Sequence, residues 1–155
     1  MNCPCKSGKQ YELCCEGFIT QRERPENAQQ LMRSRYSAYV LKDEAYLKKT
    51  WHEEYRPDDL SLENNIHWLR LKVLDSASTG SEASVEFEAL YLTDGMVNAL
   101  HENSHFMCVN GEWLYTTGEM KALTFKPWKP GRNESCPCGS QLIFKRCCQQ
   151  AEAVN

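Results

Sequence analysis

Four cysteines near one end of the chain are repeated, at the same spacing, near the other end. The first set is Cys3-Pro4-Cys5 followed, after eight residues, by Cys14-Cys15. The second is Cys136-Pro137-Cys138 followed, after eight residues, by Cys147-Cys148. Proline occupies the same inner position in both, and Ser7 and Tyr11 correspond to Ser140 and Phe144. Eight of the nine cysteines fall in these two clusters, and only Cys108 stands apart. Such a pattern restricts what the ends can become. Tetrahedral Zn²⁺ takes four thiolates at about 2.3 Å, commonly as two close pairs joined by a loop. A C-x-C pair provides two ligands from one tight turn, whose proline pre-sets the backbone. The adjacent pair completes the set only where the backbone turns, as at the end of a short helix.

Disulfides are the competing use of paired cysteines. They require an oxidising compartment, and neighbouring cysteines join only with strain. The N-terminus, Met1-Asn2-Cys3-Pro4-Cys5-Lys6, has no apolar run of the kind that marks an export signal, so a cytoplasmic location is expected. The C-x-x-C spacing of thioredoxin-like redox sites is absent. The expectation is therefore two zinc ions per chain, one on Cys3, Cys5, Cys14 and Cys15 and one on Cys136, Cys138, Cys147 and Cys148. Iron suits the same soft ligands. Four protein ligands leave no open position, so catalysis at the metal is not expected. Each Cys₄-bound zinc carries a charge of −2, which Lys6, Lys9, Lys145 and Arg146 lie close enough in sequence to soften.

The rest of the 155 residues reads as globular: 41% are hydrophobic and 25% charged. No apolar run approaches a membrane span. A net charge of −3 argues against a general affinity for nucleic acid. Pro25 and the stretch Lys126-Pro127-Trp128-Lys129-Pro130 mark linkers, which divides the chain into a module at 1–20, a domain at 25–128 and a module at 131–150. The first half of that domain reads as helix, with Ala28, Leu31, Met32, Tyr36, Tyr39 and Val40 on one face. A shorter helix begins at Asp43 as N-cap and runs through Tyr46, Leu47 and Trp51. A further turn or two of helix is expected between Pro57 and Asn65.

The second half reads as antiparallel sheet. Leu69, Leu71 and Val73 alternate with Arg70 and Lys72, and Val85, Phe87, Ala89 and Tyr91 alternate with Glu86 and Glu88. Asn110-Gly111 signals a type I′ hairpin that sets Cys108 opposite Trp113 and Phe106 opposite Tyr115. Cys108 is then a small hydrophobe rather than a ligand, and Trp128 is placed to anchor the exit linker. Helices followed by a meandering sheet give an α+β fold.

Two resemblances follow from these residues. Cys3-Pro4-Cys5-Lys6-Ser7-Gly8-Lys9 through Cys14-Cys15, and Gly131-Arg132-Asn133 through Cys136-Pro137-Cys138-Gly139-Ser140, resemble the SEC-C motif found at the C-terminus of the SecA translocase. The copies depart from it at Lys6 and at Gln141. Leu31-Met32-Arg33-Ser34-Arg35-Tyr36-Ser37-Ala38-Tyr39-Val40, with Tyr46-Leu47 and Thr50-Trp51-His52, resembles the YchJ family of small bacterial proteins. That resemblance implies an NTF2-like (cystatin-like) middle domain, helices packed on a curved antiparallel sheet, flanked by SEC-C modules.

Three functions compete. Because the SecA module contacts the SecB chaperone and ribosomes, the SEC-C resemblance implies an interaction module whose protein partner is a chaperone, ribosome or translocation component. An NTF2-like hollow implies a small-molecule binder or enzyme, for which Tyr36, Tyr39, His52, His67, Glu102 and His105 are available, although none forms a catalytic motif. Nucleic-acid contact through the modules, using Lys6, Lys9, Tyr11, Phe144, Lys145 and Arg146, ranks behind a protein partner, because both the chain and its metal sites are acidic.

Overall fold

The computed structural model describes residues 1–123 and 125–152. Helix α1 (Glu16–Ile19) follows the first cysteine cluster, and α2 (Ala28–Leu41) and α3 (Glu44–Lys49) open the central region. Four strands follow: β1 (His67–Thr79), β2 (Glu82–Thr93), β3 (Met96–Val109) and β4 (Glu112–Met120), with α4 (Cys148–Glu152) closing the chain. The strands form one antiparallel sheet in sequence order, β1-β2-β3-β4. No described helix is long and apolar enough to cross a membrane.

Two of the connections are two-residue turns with both central residues at positive φ, as type I′ geometry requires. Asn110 and Gly111 lie at 51° and 82°, and Asp94 and Gly95 at 51° and 76°. The first turn produces the expected pairs, Phe106 with Tyr115 and Cys108 with Trp113. Cys108 itself is half-buried. The second turn carries an equally strong Asp-Gly signal. It sends β3 back ten residues earlier than the apolar run at 106–109 indicates, because Asn98 and the polar run from His101 to His105 interrupt the apolar pattern between them.

Helix α2 is held at both ends. The Asn27 side chain accepts a hydrogen bond from the Gln30 amide at 2.9 Å, and Lys42 ends the helix in the left-handed conformation. Asp43 caps α3 as expected, accepting from the Tyr46 amide at 3.0 Å. The buried side of α2 is wider than its apolar stripe, since Ser34, Arg35 and Ser37 are buried with it. Each polar group is answered locally. Ser34 Oγ donates to the Leu31 carbonyl at 2.8 Å and meets Tyr46 Oη at 2.7 Å, and Arg35 Nη1 donates to the Leu47 carbonyl and Thr50 Oγ1.

The segment expected to form another helix, Pro57 to Asn65, does not. It contains turns only. Leu60 and Leu62 tuck against Ala38, Tyr46 and Leu47, and apolar residues two apart cannot share the face of a helix.

A β-bulge alters the reading of β1. Trp68 pairs with Tyr91 but Arg70 pairs with Leu90, which leaves Leu69 as the extra residue. Leu69 therefore does not share a face with Leu71 and Val73. Trp68, Leu71 and Val73 pack with α2, whereas Leu69 joins Leu92 and Val97 beneath the C-terminal cysteine cluster. Of the two basic residues in this part of β1, Lys72 stands opposite Glu88 and Arg70 opposite Leu90.

Both ends of the chain are built into these two packing groups. Cys3, Cys5 and Cys15 belong to one core cluster with Leu31, Met32 and Tyr36, and Cys136, Phe144 and Cys148 to the other with Leu69, Leu92 and Val97. The exit linker is pinned too. Val97 and Trp128 exchange backbone hydrogen bonds at 2.7 and 3.2 Å.

Candidate metal centres

The two cysteine clusters are built by the same backbone moves. Leaving the C-x-C pair, the chain tightens into a turn in which Lys6 N–H donates to the Cys3 carbonyl, and Gly139 N–H to the Cys136 carbonyl, each at 3.1 Å. Cys3 N–H then bonds the Lys9 carbonyl and Cys136 N–H the Leu142 carbonyl, each at 2.8 Å. A single 3₁₀ turn follows, Tyr11–Leu13 or Phe144–Arg146. Cys14 and Cys147 terminate these turns, and Cys15 and Cys148 begin the next helices. That change of direction lets neighbouring cysteines point at one centre.

Both departures from the SEC-C pattern fall where the backbone is left-handed. Each turn has two positive-φ residues at equivalent positions: Lys6 (63°) and Gly8 (86°) in the first, Gly139 (83°) and Gln141 (71°) in the second. Each copy thus fills one of its two left-handed positions with glycine and strains the other.

Within each cluster all four sulfurs lie within 4.8 Å of one another. The sulfur contacts are 3.6 Å for Cys5–Cys14 and 3.9 Å for Cys14–Cys15, against 3.5 Å for Cys138–Cys147 and 3.9 Å for Cys147–Cys148. Four sulfurs at about 2.3 Å from one ion form a tetrahedron with edges of about 3.8 Å. The spacing fits that tetrahedron and is far too long for a disulfide. Both clusters could hold a metal ion.

Donors surround the sulfurs. Ser7 Oγ lies 3.3 Å from Cys14 Sγ, and Ser140 Oγ 3.1 Å from Cys147 Sγ. The Ser7 and Ser140 amides add hydrogen bonds to Cys5 and Cys138. Without a cation, the thiols share protons unequally. Hydrogen bonds with Cys15 and Cys3 hold the Cys5 thiol well below its ordinary range, and those with Cys3 and Cys5 push Cys15 up. In the second cluster burial drives Cys148 up. Burial also acts on Cys138, but hydrogen bonds from Ser140, Cys136 and Cys147 outweigh it and leave that thiol at about 7. In both copies the second cysteine of the C-x-C pair has its thiol shifted down.

The surroundings of the two clusters differ. Three of the N-terminal cysteines are buried but only two of the C-terminal ones. Ser37 Oγ approaches Cys3 Sγ at 3.7 Å, and Arg33 donates to the Cys5 carbonyl at 3.2 Å. At the other end, His67 Nε2 lies 3.3 Å from Cys148 Sγ. Of the remaining candidates, Tyr36, Tyr39 and Glu102 line one cavity. His52 sits outside it, with Nδ1 accepting from the Glu54 amide, and His105 meets Glu119 at 3.3 Å. The aromatic pair proposed from sequence for nucleic-acid contact is not a free surface. Phe144 is only 4% exposed and Tyr11 packs partly against the core.

Known proteins resemble this chain over most of its length. The family model for the YchJ middle NTF2-like domain matches residues 27–118, and that for the SEC-C motif matches residues 132–150. A UPF0225 protein of Enterobacter sp. (strain 638) is 35% identical, covering 96% of this chain and 97% of its own length. One from Sodalis glossinidius (strain morsitans) is 39% identical with the same coverage. The solution structure of a SEC-C motif containing protein from Rhodopseudomonas palustris, 36% identical, gives a TM-score of 0.72 over 79% of this chain and 100% of its own. The crystal structure of another, from Psychrobacter arcticus, is 26% identical and gives 0.63 over 96% of this chain and 95% of its own. With a family model over residues 27–118 and relatives 35% and 39% identical over nearly the whole chain, the chain belongs to the YchJ family of UPF0225 proteins.

Proposed function

We propose that this protein is a zinc-carrying interaction protein of the cytoplasm. One zinc ion is held by Cys3, Cys5, Cys14 and Cys15 and a second by Cys136, Cys138, Cys147 and Cys148. The two modules offer a docking surface to a protein partner of the chaperone, ribosome or translocation class. The observation that carries the reading is the closed four-sulfur geometry, which leaves no position for a substrate and suits a structural ion. Two outward positions on each module supply the surface. Lys9 and Leu13 on the first copy correspond to Leu142 and Arg146 on the second, and all four are exposed, Leu13 at 79% and Leu142 at 52%. Each module therefore presents one leucine and one cation, with their places exchanged.

Elemental analysis of protein purified without added metal tests the first half of this reading. Two zinc ions per chain are expected. Iron in their place, or a folded protein whose eight clustered thiols all titrate, would overturn it. The second half is tested by capture from lysate with Leu13→Ala combined with Leu142→Ala. Metal content and fold should be unchanged while partner capture falls. Undiminished capture of the same partners would remove the modules from the interface.

A further inference from the structure

Between α2 and the sheet lies a cavity of about 250 Å³. Trp68, Phe87 and Leu100 form much of its apolar wall, and the cysteines of the two clusters take no part in lining it. Two charged side chains also line it, Arg35 from α2 and Glu102 from β3.

Arg35 is only 5% exposed, yet among the described residues no carboxylate lies within ion-pairing distance of it. Nη1 is committed to the Leu47 carbonyl at 2.9 Å and Thr50 Oγ1 at 2.7 Å. The guanidinium rests over the rings of Tyr115 at 4.6 Å and Trp51 at 5.1 Å. Among the described residues its Nε and Nη2 have no hydrogen-bond acceptor. Tyr36, 6% exposed and lining the same cavity, has a buried hydroxyl that finds no hydrogen-bond partner among the described residues. Glu102 acts on Arg35 only through its charge, from beyond ion-pairing distance. A buried charge with no direct ion-pair partner is costly, and a fold that retains one beside an open space has a use for the free donors.

The shape of the free donors selects the ligand. The guanidinium fork matches a carboxylate in two parallel bonds, and the walls beyond it are aromatic and aliphatic. Glu102 does not make the cavity a cation site. It accepts a hydrogen bond from Ser104 Oγ, and it is only half-buried, so solvent shares its charge. Gly118 provides its room, since a Cβ there would collide with the Glu102 carboxylate. A cation, Arg35, already lies over the rings of Tyr115 and Trp51.

We propose that this cavity binds a small aromatic or branched monocarboxylate, its carboxylate on the free edge of Arg35 and its apolar body against Trp68, Phe87 and Leu100. The volume limits the ligand to about the size of phenylacetate, at or below the lower end of ordinary ligand pockets. The site is independent of the interaction surface on the modules.

The test is a titration of the full-length, metal-replete protein at constant ionic strength, followed by amide chemical shifts. The probes are phenylacetate, the neutral phenylacetamide and the cationic phenethylammonium. Phenylacetate should bind saturably at one site, with both analogues weaker by about tenfold or more for lack of the charge-assisted pair. Leu100→Trp, which fills the cavity, should weaken phenylacetate by about tenfold while leaving metal content and thermal midpoint near wild type. Arg35→Lys should weaken it as well, because a point charge lacks the fork. If that variant does not fold, Leu100→Trp and the amide comparison decide the matter. The proposal is overturned by non-saturable shifts, equal affinity for the amide, preference for the cation, or undiminished binding in Leu100→Trp.

Discussion

Removing the C-terminal module should destabilise the sheet it covers, by an amount that can be worked from packing. Leu69, Leu92 and Val97 are fully buried, and their cover includes Cys136, Phe144 and Cys148. Fully re-exposing a leucine or valine side chain costs about 1.5–3 kcal/mol. Leu90 and Phe125 remain on these residues after truncation, so roughly half of each side chain is uncovered, for a total of about 2–4 kcal/mol. Against a net stability of about 5–15 kcal/mol this is a large fraction. With a urea slope of about 2 kcal/mol per molar, the midpoint should fall by about 1–2 M. The assay is urea unfolding followed by tryptophan fluorescence, comparing the full chain with one ending at Pro130. A midpoint within about 0.3 M of the full chain's would refute the reasoning, because the module would then cover nothing that matters to the sheet.

Phe144→Ala should cost about 3–5 kcal/mol as a buried aromatic deletion, and clearly more than Tyr11→Ala at the equivalent half-buried position, both read by denaturant unfolding. Gln141→Gly relieves the left-handed strain of about 1–2 kcal/mol but returns about 0.4–1 kcal/mol of chain entropy. A calorimetric midpoint raised by about 1–4 °C is therefore expected, and a lowered one would show that the Gln141 side chain makes a compensating contact. In alkali, Tyr46 should act as a destabilising group. Burial pushes its hydroxyl up to about 12 from 10.0, so its contribution is complete below pH 10 and is lost as the pH rises through about 12, an effect of about 3 kcal/mol. Tyr46→Phe should lose less stability than wild type between pH 8 and pH 12 in denaturant titrations, and equal losses would contradict the assignment.

The cysteine repeat was legible because thiolate chemistry depends on spacing alone, and the repeated spacing led to the repeated geometry. The Asn110-Gly111 hairpin was legible for the same kind of reason, since few residue pairs accept its dihedral angles. The face of Leu69 was not. One extra residue at a bulge reverses every later assignment, and no residue type announces it. Arg35 lies outside the apolar stripe that marks α2, and only the packing of α3 and β4 around that helix buries it. The contact of His67 with Cys148 joins residues 81 positions apart, and no local signal marks it. The Lys6 and Gln141 departures look incidental in sequence, but both fall on positions where the backbone is left-handed.

An antiparallel sheet of four strands has two faces to cover, and among the described residues there is a single long helix with which to do it. Helix α2 covers one face, assisted by Cys3, Cys5 and Cys15 along its flank. Nothing helical of comparable length reaches Leu69, Leu92 and Val97 on the other. There a short module has to serve, and a module of this size has too little apolar area to hold its own shape. Phe144 is its one large buried side chain, and the remaining cover comes from Cys136 and Cys148. An ion held by its four sulfurs would supply the rigidity that a hydrophobic interior otherwise gives. The two clusters therefore do unequal work. The N-terminal one borders the same core as Met32, Tyr36 and Phe106, which also line the cavity, so disturbing it disturbs the cavity wall. The C-terminal one rests on the opposite face, where its loss weakens the sheet while leaving the Arg35 environment in place.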